Sequence, residues 1–270
     1  MTARVALSVA GSDPSGGAGV QGDLKTFSAL GVYGTAVIAA LTAQSTRGVT
    51  GVLPVPARFV EQQLVTLLDD VEVHAVKTGM LPGAETVGVV ARLVGRRAAG
   101  PLVVDPVMVA TSGDRLTEDD AVAAMREVLL PAADLITPNV PEAAALLRVD
   151  PVQDESGLRG HAEALLDLGP RAVLLKGGHL SGAESIDVLA TRTTVTATRR
   201  PRVATTATHG TGCMLSAALA GLAARAGGDP DWPVLLERAR DLLQDALVGA
   251  AALHVGGGSG PVHHLANTWP

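Results

Sequence analysis

The sequence predicts an α/β fold, with a mostly parallel central sheet covered by helices on both faces. Two observations point there. Short runs rich in Val, Leu and Ala alternate with longer amphipathic stretches, the pattern of repeated strand–helix units. The short runs are apolar almost throughout, as strands buried on both faces require no polar alternation. No linker, internal repeat or low-complexity tract interrupts the 270 residues, so 1–270 read as a single domain.

In chain order, a strand is expected at 5–10 and a helix at 20–30, joined by a glycine-rich stretch. A strand at 36–41 and a helix at 58–68 follow. Strands at 75–77 and 102–104 enclose a helix at 86–94. A helix at 119–129 precedes a strand at 135–137, and helices at 142–147 and 157–168 lead to a strand at 172–175. A strand pair at 185–190 and 193–203 then gives way to long helices at 211–224 and 234–254. The first six strands each run into polar or glycine residues. These are Gly11-Ser12-Asp13, Thr42-Ala43-Gln44, Lys77-Thr78-Gly79-Met80, Asp105-Pro106, Pro138-Asn139 and Lys176-Gly177-Gly178. Ligands of open α/β sheets sit outside the carboxyl ends of the strands, so these ends outline one site.

Composition narrows the function. A net charge of −6 and 2% aromatic residues provide neither a basic footprint nor stacking rings for nucleic acid. Arg199, Arg200 and Arg202 read as a solvated strand end. One cysteine forms no internal disulfide and fits a reducing compartment. Arg4 precedes an apolar run too short for a signal-peptide core, and no uninterrupted apolar run reaches the roughly 20 residues of a membrane span. The expectation is a soluble cytoplasmic protein without a membrane partner.

Gly17, Gly19 and Gly22 match the dinucleotide pattern G-x-G-x-x-G, but the context fails. The first glycine lies about six residues past the strand, and the second strand runs into Gln44 rather than an acidic residue. No G-K-[ST] follows a glycine-rich loop either. Gly16, Gly17 and Gly19 instead let backbone pass close to a ligand or turn into the helix. Asp23 and Lys25 fall on that helix's first turns, where a solvated charged helix start is the plain alternative. The second glycine cluster, THGTGC (208–213), directly precedes the apolar helical run MLSAAL. Small residues at a helix start expose amide groups, making an anion hole suited to a phosphoryl group. Cys213, in the same first turn, is expected to have a lowered thiol pKa; a small packed cysteine is the alternative.

In this order the motifs become recognisable. AGSDPSGGAGVQ (10–21) with DLKT (23–26), TAQ (42–44), AVK (75–77) with GML (79–81), DPVM (105–108), TPNVPEA (137–143), LKGGH (175–179), THGTGC (208–213) and GPVHH (260–264) span nearly the whole chain. Together they resemble the hydroxymethylpyrimidine/phosphomethylpyrimidine kinases of thiamine biosynthesis, a branch of the ribokinase-like superfamily. The resemblance implies a three-layer ribokinase-like fold that phosphorylates 4-amino-5-hydroxymethyl-2-methylpyrimidine and then its monophosphate.

It also implies roles for single residues. Gly11, Asp23, Gln44, Met80 and Val107 would hold the pyrimidine, whose amino edge suits a carboxylate and a carboxamide. Gly210, Thr211 and Gly212 would form the anion hole, with Cys213 accepting the hydroxymethyl proton. ATP would lie near Asn139, Lys176 and Thr208. Asp105 and Glu142 would face Mg²⁺ through its waters, although Glu142 after Pro141 would equally suit a helix N-terminus. A homodimer is usual among such proteins.

The chain departs from the family pattern at Ser45, Gly22, Thr78 and Thr111. At Thr111 a lysine is common, and its loss predicts a weaker second phosphorylation. His263 and His264 lack metal partners at suitable spacing. The open role of His209 is contact with nucleotide or support of its loop. Rival readings are a pyridoxal kinase of the same superfamily, against which the absence of a second cysteine speaks, and a non-catalytic pyrimidine-binding protein.

Overall fold

The computed structural model describes residues 3–97, 100–109, 113–114 and 116–269. Among these, strands β1 (Val5–Gly11), β2 (Tyr33–Ser45), β3 (Gly48–Pro54), β4 (Ala75–Thr78), β5 (Leu102–Val104), β6 (Leu135–Ile136), β7 (Ala172–Lys176), β8 (Glu184–Thr191) and β9 (Val195–Pro201) join in one sheet. Their order is β3-β2-β1-β4-β5-β6-β7-β8-β9. From β2 to β7 neighbouring strands run parallel, while β3, β8 and β9 pair antiparallel at the edges. The chain leaves β1 for β2 on one side and returns to β4 on the other. This reversal opens a crevice at the carboxyl ends of β1 and β4.

Alternate strand residues feed two cores, because successive side chains of a strand point to opposite faces. Leu7, Val9, Val76 and Val104 meet helices α2 (Ala57–Leu68), α3 (Ala84–Arg97), α5 (Val140–Leu147) and α6 (Glu155–Leu166) on one face. On the other, Ala6, Ala75, Val103 and Leu174 meet α1 (Gly19–Ala29), α7 (Thr211–Ala226) and α8 (Trp232–Gly249). The expected three layers are therefore present. Helix α7 is buried from Met214 to Ala224, which explains its unbroken run of small and apolar residues.

Three elements differ from expectation. The second strand does not end at 41 but runs on to Ser45, because β3 pairs with it from Ala40 onward. β3 itself was not expected: Gly48, Gly51 and Pro54 weaken the strand signal, and an exposed edge strand tolerates all three. The helix at 119–129 is α4 (Asp119–Ala124) followed by a π-turn at Met125–Leu129.

Candidate active site

A cavity of about 720 Å³ opens at the carboxyl ends of the parallel strands. Gly11 and Met80 line it from β1 and the loop after β4, Gln44 from the β2–β3 hairpin and Val107 from the loop after β5. A Cβ at Gly11 would stand 2.8 Å from Met80 Cε, so glycine here leaves room for the methionine end to lie against the strand, and a larger residue would push that flexible end aside. Asn139, Lys176 and Thr208 line the same cavity, as do Asp105 and Glu142. Gln44 is a strand residue on the hairpin rather than part of a loop at the strand end.

Helix α7 points its N-terminus into the cavity. Its N-cap, Gly210, has φ +87° and makes no side-chain cap; the Thr211 N–H donates to the Thr208 carbonyl at 3.3 Å, and the Gly212 and Cys213 amides are left for a ligand. Any side chain at Gly210 would overlap the Gly17 carbonyl. Thr211, Gly212 and Cys213 complete the turn. The Lys176 ammonium lies 2.8 Å from Asp105 Oδ1, and a Cβ at Gly212 would stand 3.2 Å from that ammonium. A helix N-terminus, a cation and a carboxylate thus lie side by side. Asp105 is anchored further by Thr137 Oγ1 at 3.1 Å and Ser216 Oγ at 3.2 Å. Burial opposes the charge of Lys176, but Asp105 and Glu142 outweigh it and raise the ammonium's pKa. For Asp105, burial is likewise overcome by Lys176 and Lys77, and the pKa is lowered.

Glu142 serves as the third residue of a capping box on α5. Its Oε2 accepts the Asn139 N–H at 2.7 Å while Asn139 Oδ1 accepts the Glu142 N–H at 2.9 Å. The helix-start role is therefore present, and the carboxyl still faces the cavity. Burial pushes its pKa up to about 7, with Lys176 opposing.

Two expectations need correction. Asp23 does not line the cavity. It is fully buried, and its carboxylate is taken up by Lys77 Nζ at 2.8 and 2.9 Å and by Ser8 Oγ at 2.5 Å. An aspartate at this depth needs a cation, and β4 supplies one. The Cys213 thiol is not activated either. Burial pushes it up to about 11; the Lys77 ammonium lowers it, Asp23 and Asp105 add to the rise, and the Gly19 N–H donated to the sulfur does not offset them.

Lys77 was placed among the strand-end residues that outline the site but was given no role of its own, because the partner that explains it, Asp23, is distant in sequence. The lysine is fully buried, lines the cavity and keeps its charge through Asp23. Asp13 and His209 were also unassigned. His209 Nε2 donates to Asp13 Oδ2 at 2.7 Å, and the pair joins the two glycine-rich loops. Those loops explain the G-x-G-x-x-G match. A Cβ at Gly17 would reach Pro261 Cβ at 2.9 Å, and one at Gly22 would reach the Gly17 carbonyl at 2.9 Å. The glycines let loop 13–19 press against His209, α1 and the tail, and Gly19, with φ +57°, turns the chain into α1 while lining the cavity.

Of the remaining groups, Arg202 lines the cavity, while Arg199, Arg200, His263 and His264 do not. Arg200 pairs with Glu237 and Asp241, and Arg202 donates to carbonyl oxygens of 178–184. His263 and His264 are buried, and burial lowers His264 to about 4. No group of three metal-ligating side chains occurs among the described residues. No helix among them is long and apolar enough to cross a membrane. Thr111 lies outside the described residues.

The geometry is matched by sequence and structural likeness. The family model described as phosphomethylpyrimidine kinase matches residues 13–263. A hydroxymethylpyrimidine/phosphomethylpyrimidine kinase of Rhizobium meliloti is 49% identical, covering 100% of this chain and 99% of its own. The solved phosphomethylpyrimidine kinase of Clostridium difficile is 34% identical with a TM-score of 0.78, over 90% of this chain and 99% of that one. A pyridoxal kinase of Bacillus subtilis, solved as an ADP complex, is 30% identical with a TM-score of 0.89, over 98% and 99%. The fold is ribokinase-like, and the chain belongs to the phosphomethylpyrimidine kinase family.

Proposed function

We propose that the protein transfers the γ-phosphoryl group of ATP to the hydroxymethyl oxygen of 4-amino-5-hydroxymethyl-2-methylpyrimidine, and then a second one to the monophosphate, for thiamine biosynthesis. One observation carries the reading. The uncapped N-terminus of α7, with Lys176 and Asp105 against it, opens into the cavity that Gly11, Gln44, Met80 and Val107 also line. The pyrimidine sits against these four residues, with Gln44 pairing its amino edge and Met80 on the ring face. Asp23 acts from beneath, by holding the Lys77 charge.

The phosphoryl group in flight is held by the amides of Gly210, Gly212 and Cys213 and by Lys176, while Thr211, whose N–H donates to the Thr208 carbonyl, shapes the turn. A loose transition state is served mainly by such positioning and charge neutralisation. Cys213 touches the hydroxymethyl group. With a thiol pKa of about 11 it keeps its own proton at neutral pH and contacts the hydroxymethyl group without deprotonating it; the hydroxyl proton passes to an oxygen of the transferred phosphoryl group, and the anion hole bears most of the catalysis. Asn139 and Thr208 contact the nucleotide; the Asn139 Oδ1 is engaged in the capping box, which leaves its amide NH₂ for ATP.

The donor set suits Mg²⁺. Asp105 and Glu142 offer hard carboxylate oxygens, too few for a closed protein cage, and would hold Mg²⁺ through its waters beside the nucleotide phosphates. When bound, the ion neutralises phosphate charge. Residues 1–270 act as one kinase domain, in the cytoplasm, which the lone cysteine supports. Exposed Leu41 and Leu53, cross-strand partners on the β2–β3 hairpin, support a homodimer.

The likeness to pyridoxal kinases favours a second reading, transfer to pyridoxal. The test is to incubate the protein with Mg-ATP and either ring compound and to follow products by mass spectrometry. Pyrimidine mono- and diphosphate appearing in sequence is the expected result. Monophosphate alone would remove the second step, pyridoxal phosphate alone would favour the rival, and no transfer would leave only binding.

A further inference from the structure

The two loops that meet at the cavity come from opposite ends of the chain. Loop 13–19 follows β1, and loop 208–213 starts α7. Asp13 joins them. Its Oδ1 accepts the Ser15 N–H at 2.9 Å and Ser15 Oγ–H at 2.7 Å. Its Oδ2 accepts the Gly17 N–H at 3.1 Å, the Ala18 N–H at 2.8 Å and His209 Nε2–H at 2.7 Å. An ionised carboxylate only accepts, so the imidazole must be the donor. Gln21 Oε1 fixes Asp13 itself, accepting its N–H at 2.8 Å.

His209 is held on a second side. Its N–H donates to the Gly260 carbonyl at 3.1 Å, and its own carbonyl accepts the Val262 N–H at 3.1 Å. Its side chain therefore answers to the first loop and its backbone to the C-terminal segment. The next residue is Gly210, the N-cap of α7, against the Gly17 carbonyl. The position of the anion-hole amides is thus referred through one imidazole to Asp13.

We propose that Asp13 is a positioning residue for phosphoryl transfer, acting through His209 to set where the Gly210, Gly212 and Cys213 amides stand relative to the first loop. This rests on the reading that those amides receive the transferred group. Placement of this kind matters because a misplacement of about 1 Å can cost about 10²-fold in rate.

The test compares His209→Leu, which cannot donate to Asp13, with His209→Gln, whose amide can, and adds Asp13→Asn. His209→Leu is expected to lower kcat about 10²-fold, with KM for ATP and for the pyrimidine within about threefold of wild type. His209→Gln should recover most of that loss. Amide hydrogen exchange at Thr211 and Met214, whose N–H groups donate to the Thr208 and Gly210 carbonyls, should quicken in His209→Leu and Asp13→Asn and stay near wild type in His209→Gln. Wild-type kcat and exchange in His209→Leu would overturn the proposal. So would a glutamine variant as inactive as the leucine variant with exchange unchanged, since the imidazole would then act on the reacting groups itself. If the wild type phosphorylates no pyrimidine, the proposed function fails alone, and the exchange comparison still decides the role of Asp13. Should Asp13→Asn not fold, the two His209 variants carry the test.

Discussion

Cys213 sits where opposing electrostatic effects meet. The start of α7 and the Lys77 ammonium favour a thiolate, but burial and the carboxylates of Asp23 and Asp105 prevail at about 11. The alkylation rate with iodoacetamide should therefore keep rising with pH toward 11; a plateau near pH 8 would contradict the raised thiol. Cys213→Ala should lower kcat by about 10²-fold and retain a measurable remainder, because the anion hole persists. Activity equal to wild type would remove the thiol from the reaction. Lys77 shows a dependence of another kind. Lys77→Met leaves Asp23 buried without its cation and should cost about 3–5 kcal/mol in urea unfolding, part of which Asp23→Asn should restore in the double variant. A loss under about 1 kcal/mol would show the pair to be dispensable. Neither feature was legible in the residues concerned, since Asp23 and Lys77 are 54 positions apart and both effects need burial.

At the scale of elements, α5 combines a structural cap with a cavity-facing carboxyl. The Glu142 carboxyl is raised to about 7, so the folded state holds its proton more tightly than the unfolded chain does. Its contribution to stability is full below the unfolded chain's 4.5 and is lost as pH rises through about 7. Glu142→Gln keeps a capping side chain and escapes that loss. It should therefore be more stable than wild type at pH 8, by up to about 3 kcal/mol, with the advantage shrinking toward pH 5 in thermal melts. An advantage independent of pH would refute the assignment. Asp13 works in the opposite direction and lower: its carboxyl is held at about 2, so its contribution holds above 3.8 and is lost only as pH falls toward 2. The parallel strands were legible because each is a short apolar run with its own polar end. β3 was not, since an exposed edge strand with two glycines and a proline lacks the burial that makes the pattern.

The whole molecule places its site where the chain reverses direction across the sheet, between β1 and β4. A ligand bound there bridges both ends of the chain and should stabilise all of it. Mg-ATP at about 100 times Kd should add about 2.7 kcal/mol, which for a domain of this size raises Tm by roughly 5–10 °C. Chelation with EDTA should remove most of the shift if Asp105 and Glu142 act through Mg²⁺; an undiminished shift would mean that the nucleotide binds without the ion. The alternation of strands and helices apart from β3, the two-sided sheet and the strand-end members of the cavity wall apart from Asp23 were legible in the sequence, because periodicity and strand-end residues are local properties. Only the tertiary structure decided that Asp23 serves Lys77, that Cys213 keeps its proton and that the first glycine loop packs on His209. Those outcomes depend on desolvation and on partners distant in sequence, and neither is present until the chain has folded.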